Sequence, residues 1–178
     1  MSGHRAPGPA ASRWLPWCMS VVLVVLALDQ FTKVIVRAQL ERGETWPEDW
    51  ERIRVVHVTI LGIFQDQTMW LTVVTFIASV WMAWMIYRVA AERRWYAFSL
   101  SLILGGALGN LVDRVRLGEV TDFIRPLASP IFNVADAAIA IGIVMAFILT
   151  LSDDGESSSH RDRDAQVLRR RSARQVHD

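Results

Sequence analysis

The apolar residues of this chain lie in long unbroken blocks instead of recurring at the three-to-four-residue spacing of an amphipathic helix. A bilayer core about 30 Å thick takes about 20 residues of helix to cross. Residues 70–87 contain no charge, residues 95–112 contain none, and residues 133–151 carry only Asp136. A first block, residues 14–28, reaches spanning length when it continues through Asp29 and Lys33 to about Val36. A composition that is 52% hydrophobic would also suit an apolar soluble protein, but the block arrangement decides for the membrane. At 178 residues there is room for one domain. The predicted fold is an all-α membrane protein, a bundle of four transmembrane helices.

Arg5 and Arg13 ahead of an apolar run imitate a cleaved secretory signal. No small-residue cleavage pattern follows, and the helix runs on into Asp29 and Lys33, so an uncleaved anchor is predicted. The formal charge of +1 says little, but its distribution orients the chain. Four spans place both termini on one side, together with Arg5, Arg13, Arg88, Arg93, Arg94 and the arginines between 161 and 174. The other side also holds basic residues, Arg37, Arg42, Arg52, Arg54, Arg114, Arg116 and Arg125, which the longer first connection balances with Glu41, Glu44, Glu48, Asp49 and Glu51. The positive-inside rule then puts both termini in the cytoplasm.

Residues 1–13 are rich in Pro, Gly and Ala, and residues 152–178 in Ser, Asp and Arg; both are predicted to be disordered cytoplasmic tails flanking a domain at 14–151. The insertion at about 37–67 is too long for a plain connection. Its Trp46-Pro47-Glu48-Asp49-Trp50 reads as a turn, and residues 52–60 have strand-like β-branched character. A small extracytoplasmic β-rich subdomain is therefore expected between spans one and two. Trp14, Trp17, Trp70 and Trp95 sit near span ends, where tryptophan commonly anchors a helix at the interface.

An ionisable residue in mid-span costs about 2.5–3.5 kcal/mol on insertion scales, which makes it a functional candidate. Asp29 and Lys33 lie toward the outer end of span one, and Asn110, Asp113 and Arg114 toward the outer end of span three. Asn133 and Asp136 open span four on that same side, and Asp122 lies in the short connection before it. All these polar residues thus fall at one depth, near the outer boundary, as one site would require. Asp29 and Lys33 are four apart, Asn110 is three and four from Asp113 and Arg114, and Asn133 is three from Asp136, so each set shares a helix face. Asp29 with Lys33 and Asp113 with Arg114 can equally be charge pairs that hold the bundle together. Asp122 and Asp136 exceed the cations available to neutralise them. Two acids in a partly dry site share a proton, leaving one as base and one as acid, which is what activating water and protonating a scissile amide needs. Gly105, Gly106 and Gly109 remove bulk just before Asn110 and allow close approach.

Other chemistries lack their residues. There is no His-Glu-x-x-His, and His4, His57, His160 and His177 are scattered, so no metal site is expected. Cys18, the single cysteine, has no histidine at its depth; it can form no intrachain disulfide and shows no redox compartment. Ser99 and Ser101 have no base near them, and no glycine-rich phosphate loop is present, so no cofactor is expected. A non-enzymatic scaffold or proton relay remains the alternative, although a relay would spread its carboxylates through the membrane depth. A presenilin-type protease would need Gly-x-Gly-Asp, where this glycine run leads into Asn110.

Four ordered stretches carry a resemblance to the lipoprotein signal peptidase (signal peptidase II) family. They are Asp29-Gln30-Phe31-Thr32-Lys33, the run Gly105-Gly106-Ala107-Leu108-Gly109-Asn110-Leu111-Val112-Asp113-Arg114, Gly118-Glu119-Val120-Thr121-Asp122-Phe123, and Phe132-Asn133-Val134-Ala135-Asp136. The resemblance covers about residues 14–151. It implies an aspartic endopeptidase of the bacterial inner membrane that takes diacylglyceryl-modified prolipoproteins and cuts before the lipidated cysteine. The family's catalytic pair maps onto Asp122 and Asp136, and its supporting residues onto Asp29, Lys33, Asn110, Asp113, Arg114 and Asn133. It further implies that the substrate lipid lies in the bilayer between helices. Partners are then prolipoproteins and membrane lipid, without nucleic acid, for an enzyme expected to act as a monomer.

One stretch departs from the family pattern. Where the family has Asn-x-Gly-Ala-Ala-Phe, this chain reads Thr59-Ile60-Leu61-Gly62-Ile63-Phe64, with Phe64 in register. The substitution points to a narrower substrate set or weaker binding of the family's cyclic-peptide inhibitors. In an inhibitor titration, the doubly substituted Thr59→Asn, Leu61→Gly enzyme should be inhibited at lower concentration than the wild type. Equal titration curves would remove the idea.

Overall fold

The computed structural model describes residues 11–41, 45–46, 53–59, 65–126 and 131–152, with side chains over 14–41, 69–124 and 131–152. Four long helices dominate: α1 (Ala11–Gln39), α2 (Gln65–Val89), α3 (Arg94–Leu117) and α4 (Val134–Ser152). Each is long and apolar enough to cross a membrane, as the block pattern predicts. The helix ends run past the predicted blocks by a few residues. The start at Ala11 brings 11–13 into α1 and out of the tail expected to be disordered. The remaining tail residues, 1–10 and 153–178, lie outside the described residues.

α3 packs against both α1 and α2, and through its glycines against α4 as well, and it is the most buried of the four. Its sequence explains the position. A Cβ on Gly105 would stand 2.8 Å from Val25 Cβ of α1, and one on Gly106 would run into the Ala135 carbonyl of α4. The helices meet backbone to backbone there, which small residues permit and any larger side chain prevents. Toward the other end of the bundle, Cys18 and Val22 of α1 close an apolar cluster with Ile86, Ala90, Ala97, Leu100 and Leu104. Large apolar side chains such as Leu23, Phe31, Trp81, Ile141 and Phe147 face outward. In water so much exposed apolar surface would be a liability; in a bilayer it is the lipid-facing surface.

Three strands lie outside the helices: β1 (Thr45–Trp46), β2 (Ile53–Thr59) and β3 (Thr121–Pro126), antiparallel in the order β1-β2-β3. The expectation of a separate β-rich subdomain between the first two helices is not met in that form. The described strands of that connection are one of two residues and one of seven, and the third strand of the sheet comes from the α3–α4 connection. The rest of the expected turn, Pro47 to Trp50, lies outside the described residues.

β3 positions the site. α3 stops at Gly118, whose φ of 75° is in the left-handed region that glycine enters at little cost. The chain then turns into β3, where Val58 pairs with Asp122 and Val55 with Ile124. Two β2 residues thus oppose Phe123 alone, a bulge of the kind that bends a strand and re-aims its neighbours. After β3 the chain folds back so that Phe132 bridges Ile124, with backbone hydrogen bonds of 2.8 and 3.0 Å. That return sets Asn133, and hence the start of α4, beside Asp122.

The close α3–α4 crossing yields a stability test. Gly106→Ala should destabilise the folded protein by about 1–3 kcal/mol through overpacking, read as a lowered melting temperature in detergent micelles. An unchanged melting temperature would mean the crossing is looser than the contact with Ala135 requires.

Candidate active site

Asp29, Lys33 and Arg37 occupy successive turns of one α1 face. Lys33 is fully buried, and its Nζ lies 2.8 Å from Asp29 Oδ2 and 3.1 Å from Asp113 Oδ2. The same ammonium donates to Asn110 Oδ1 at 3.0 Å. Three N–H donors thus meet three acceptors, and two of those acceptors carry the opposite charge. That is the condition under which an ion pair survives burial.

The two acids on either side of Lys33 tie other elements in. Asp29 Oδ1 accepts the Ala135 N–H at 2.9 Å, placing a negative charge at the positive end of the α4 dipole. Gly109 makes room for it, because a Cβ there would lie 2.5 Å from Asp29 Oδ2. Asp113 Oδ2 accepts the Thr121 N–H at 3.1 Å and so fixes the first residue of β3. Gln30 Nε2 bridges the pair, lying 3.2 Å from Asp29 Oδ2, 3.2 Å from Asp113 Oδ1 and 3.1 Å from the Gly109 carbonyl. Arg37 Nη1 adds a longer ion pair to Asp113 Oδ1 at 3.6 Å and donates to Thr121 Oγ1 at 2.9 Å.

Asn133 and Asp136 form a reciprocal cap on α4. Asn133 Oδ1 accepts the Asp136 N–H at 2.9 Å, while Asp136 Oδ2 accepts the Asn133 N–H at 3.3 Å. This is the geometry of a capping box, with Asn133 just before the first helical residue and Asp136 three positions on. It gives Asp136 a structural task besides its place among the carboxylates. The other carboxylate oxygen, Oδ1, accepts from Asn110 Nδ2 at 2.8 Å, so Asp136 is oriented from two sides.

Asp122 joins through the same asparagine. Asn133 Nδ2 lies 2.7 Å from Asp122 Oδ1, 3.1 Å from Asn110 Oδ1 and 3.4 Å from the Thr121 carbonyl. Asn133 is therefore hydrogen-bonded to both carboxylates, Asp122 through its side chain and Asp136 through its backbone. Asp122 is buried, and its carboxyl is pushed up from 3.8 to about 6. The chief cause is loss of solvent and the next is the negative charge of Asp136, with the Asn133 hydrogen bond pulling the other way.

Of the eight residues singled out in the sequence, seven enter one connected network. Arg114 does not. It is half-buried, and among the described residues no hydrogen bond or ion pair of its side chain reaches the cluster. Asp113 pairs with Lys33 and Arg37 of α1 in place of its own neighbour. Three participants were missed: Gln30, Arg37 and Thr121. Arg37 continues the Asp29–Lys33 spacing by four, a signal that was available; Thr121 enters through its backbone and hydroxyl, which no spacing marks. The altered stretch from Ile60 to Phe64 lies outside the described residues, as does the side chain of Thr59.

Four apolar helices enclosing a carboxylate cluster at one end of the bundle define a polytopic membrane protein with an acid-rich site. The comparisons carry the assignment further: residues 21–152 match the family described as Signal peptidase (SPase) II, and the chain belongs to that family. The lipoprotein signal peptidase of Halalkalibacterium halodurans is 34% identical over 154 residues, spanning 80% of this chain and 96% of the relative. That of Shouchella clausii is 36% identical over 148 residues, spanning 80% and 97%. Two solved structures described as bacterial membrane enzymes superpose with TM-scores of 0.73 and 0.71 at 26% and 27% identity. They cover 79% and 78% of this chain and 91% and 94% of their own. The family makes the chain a peptidase, and its four apolar helices and bacterial relatives make it a multi-pass bacterial membrane protein.

The raised carboxyl of Asp122 has a measurable consequence. A folded-state value of about 6 against 3.8 means the folded protein holds this proton more tightly than the unfolded chain. The resulting stabilisation is fully present below 3.8 and is lost as pH rises through about 6. Between about pH 4 and pH 7, relative to wild type, Asp122→Asn should flatten the decline of melting temperature with rising pH. Parallel curves for the two proteins would show that Asp122 holds no such proton.

Proposed function

We propose that this protein is an intramembrane aspartic endopeptidase that removes signal peptides from diacylglyceryl-modified prolipoproteins, cutting before the lipidated cysteine. Asp122 and Asp136 are the catalytic pair. The observation that supports this reading is the single asparagine, Asn133, hydrogen-bonded to both carboxylates at the start of α4.

In the mechanism we propose, Asp122 holds the shared proton and Asp136 is the base. A water between them gives a proton to Asp136 as its oxygen adds to the scissile carbonyl carbon, while the Asp122 carboxyl donates its hydrogen to the carbonyl oxygen. The tetrahedral intermediate then collapses: one diol hydroxyl returns its proton to Asp122 as the C=O bond re-forms, the C–N bond breaks, and the proton taken up by Asp136 passes to the leaving amine. Asp29, Lys33, Asn110, Asp113 and Asn133 hold the pair in place. Because binding sites held by interlocked hydrogen bonds need little reorganisation, the pair is ready before substrate arrives.

The position of the site follows the same logic. The acids lie where α1 and α3 end and α4 begins, so a lipid-bearing peptide reaches them from the bilayer with its acyl chains left among the helices. In our reading that end faces the outside of the inner membrane, with both termini in the cytoplasm, as the arginine distribution favours. The described domain works as a monomer, the insertion at about 37–67 lies outside the membrane, and no cofactor takes part.

The test is cleavage of a lipidated precursor by purified enzyme. Asp122→Asn and Asp136→Asn should each lower the rate by about 10²–10⁴-fold or more while the protein remains folded. Near-normal turnover by either variant would remove that aspartate from the chemistry.

A further inference from the structure

We infer that Arg37 is a positioning residue for Asp122, acting through Thr121 and Asp113; the inference rests on the proposed role of Asp122. Three bonds converge on the start of β3, and a fourth contact joins two of its partners. Arg37 Nη1 donates to Thr121 Oγ1 at 2.9 Å, and the same nitrogen lies 3.6 Å from Asp113 Oδ1. The Thr121 N–H goes to Asp113 Oδ2 at 3.1 Å, and the Thr121 carbonyl faces Asn133 Nδ2 at 3.4 Å. Thr121, 2% exposed, is thereby held by its amide, its hydroxyl and its carbonyl, each from a different element: α3, α1 and the start of α4.

Asp122 is the next residue along the strand. Its side-chain hydrogen bond is the one from Asn133 at 2.7 Å, and its backbone lies opposite Val58 in the β2–β3 ladder. The ladder with β2 and the anchored Thr121 together place Asp122 along the strand, and the hydroxyl anchor of Thr121 depends on Arg37. Among the described residues Arg37 is the cation that joins α1 to β3 directly. Its side chain is 24% exposed where that of Lys33 is 0%. Lys33 is fully committed to Asp29, Asp113 and Asn110. Arg37 thus sits at the rim and secures the acid-bearing strand to the helix frame. A guanidinium suits this task because several fixed N–H donors spread over a plane can serve a hydroxyl and a carboxylate together.

Small displacements matter at such a site, since a shift of about 1 Å in a reacting group can cost about 10²-fold in rate. Arg37→Met and Thr121→Val should each lower kcat by about 10–100-fold on a lipidated precursor, with KM close to wild type. The double substitution should be no worse than the more damaging single one, because both break the same link. Thr121→Ser should recover most of the turnover that Thr121→Val loses, since the hydroxyl is restored. Should Arg37→Met fail to fold, the Thr121 pair decides alone. Wild-type kcat in Arg37→Met, losses that multiply in the double variant, a defect in KM alone, or Thr121→Ser as impaired as Thr121→Val would each overturn the inference. Asp122→Asn is assayed beside them. If it is inactive while Arg37→Met is normal, only the positioning role falls; if it is active, the proposed function and this inference fall together.

Discussion

The structure depends on one buried ammonium. Lys33 stands between Asp29 and Asp113 with no exposure to solvent, and it reaches Asn110 as well. Remove that charge and two carboxylates of α1 and α3 are left buried without their main partner, a situation that typically costs about 3–5 kcal/mol. In a bilayer the bundle gains nothing from hiding apolar surface between helices, because lipid is as apolar as leucine. What specifies one arrangement is then close backbone contact at Gly105 and Gly106 together with polar groups that are satisfied in a single geometry. Lys33 is the centre of that geometry.

From this centre the bonds pass outward to every element near the site. Asp29 receives the second residue of α4, Asp113 receives the first residue of β3, and Asn110 reaches Asp136. Fold and proposed chemistry use the same groups. Asp136 closes the cap of α4, so the helix start and the carboxylate orientation are one structural fact. Asn133 caps the helix with its carbonyl oxygen and contacts Asp122 with its amide nitrogen. Such a network is polarised by a low-dielectric surrounding, which makes each satisfied bond stronger and each missing one more costly.

The spans were legible because hydropathy is a local property and twenty apolar residues have few alternatives. That the polar residues gather at one end of the bundle was legible for a related reason: helix direction and rise convert position in the chain into position along the bundle. Contact partners were not. Asn110, Asp113 and Arg114 share a broad helix face, yet successive residues point about 100° apart, and α1 lies on the Asp113 side. Arg114 accordingly stands outside the network although its spacing shares the face of Asn110. The three-residue spacing of Asn133 and Asp136 is that of a capping box, and equally that of two polar residues sharing a face within a span; only the helix start at Val134 decides between them. Pairing between strands distant in sequence leaves no local trace, so the sequence points to β structure within the first connection alone, whereas the third strand is supplied some sixty residues later.

By itself the sequence determined that the chain crosses a membrane four times and that its ionisable residues gather toward one end, since both follow from where charge is tolerated along an apolar helix. Tertiary structure alone decided which charges neutralise one another and which acids stand together. Those choices rest on hydrogen bonds a few ångströms long between helices and a strand, and such distances exist only once α3 has closed on α1 and the chain after β3 has folded back to begin α4.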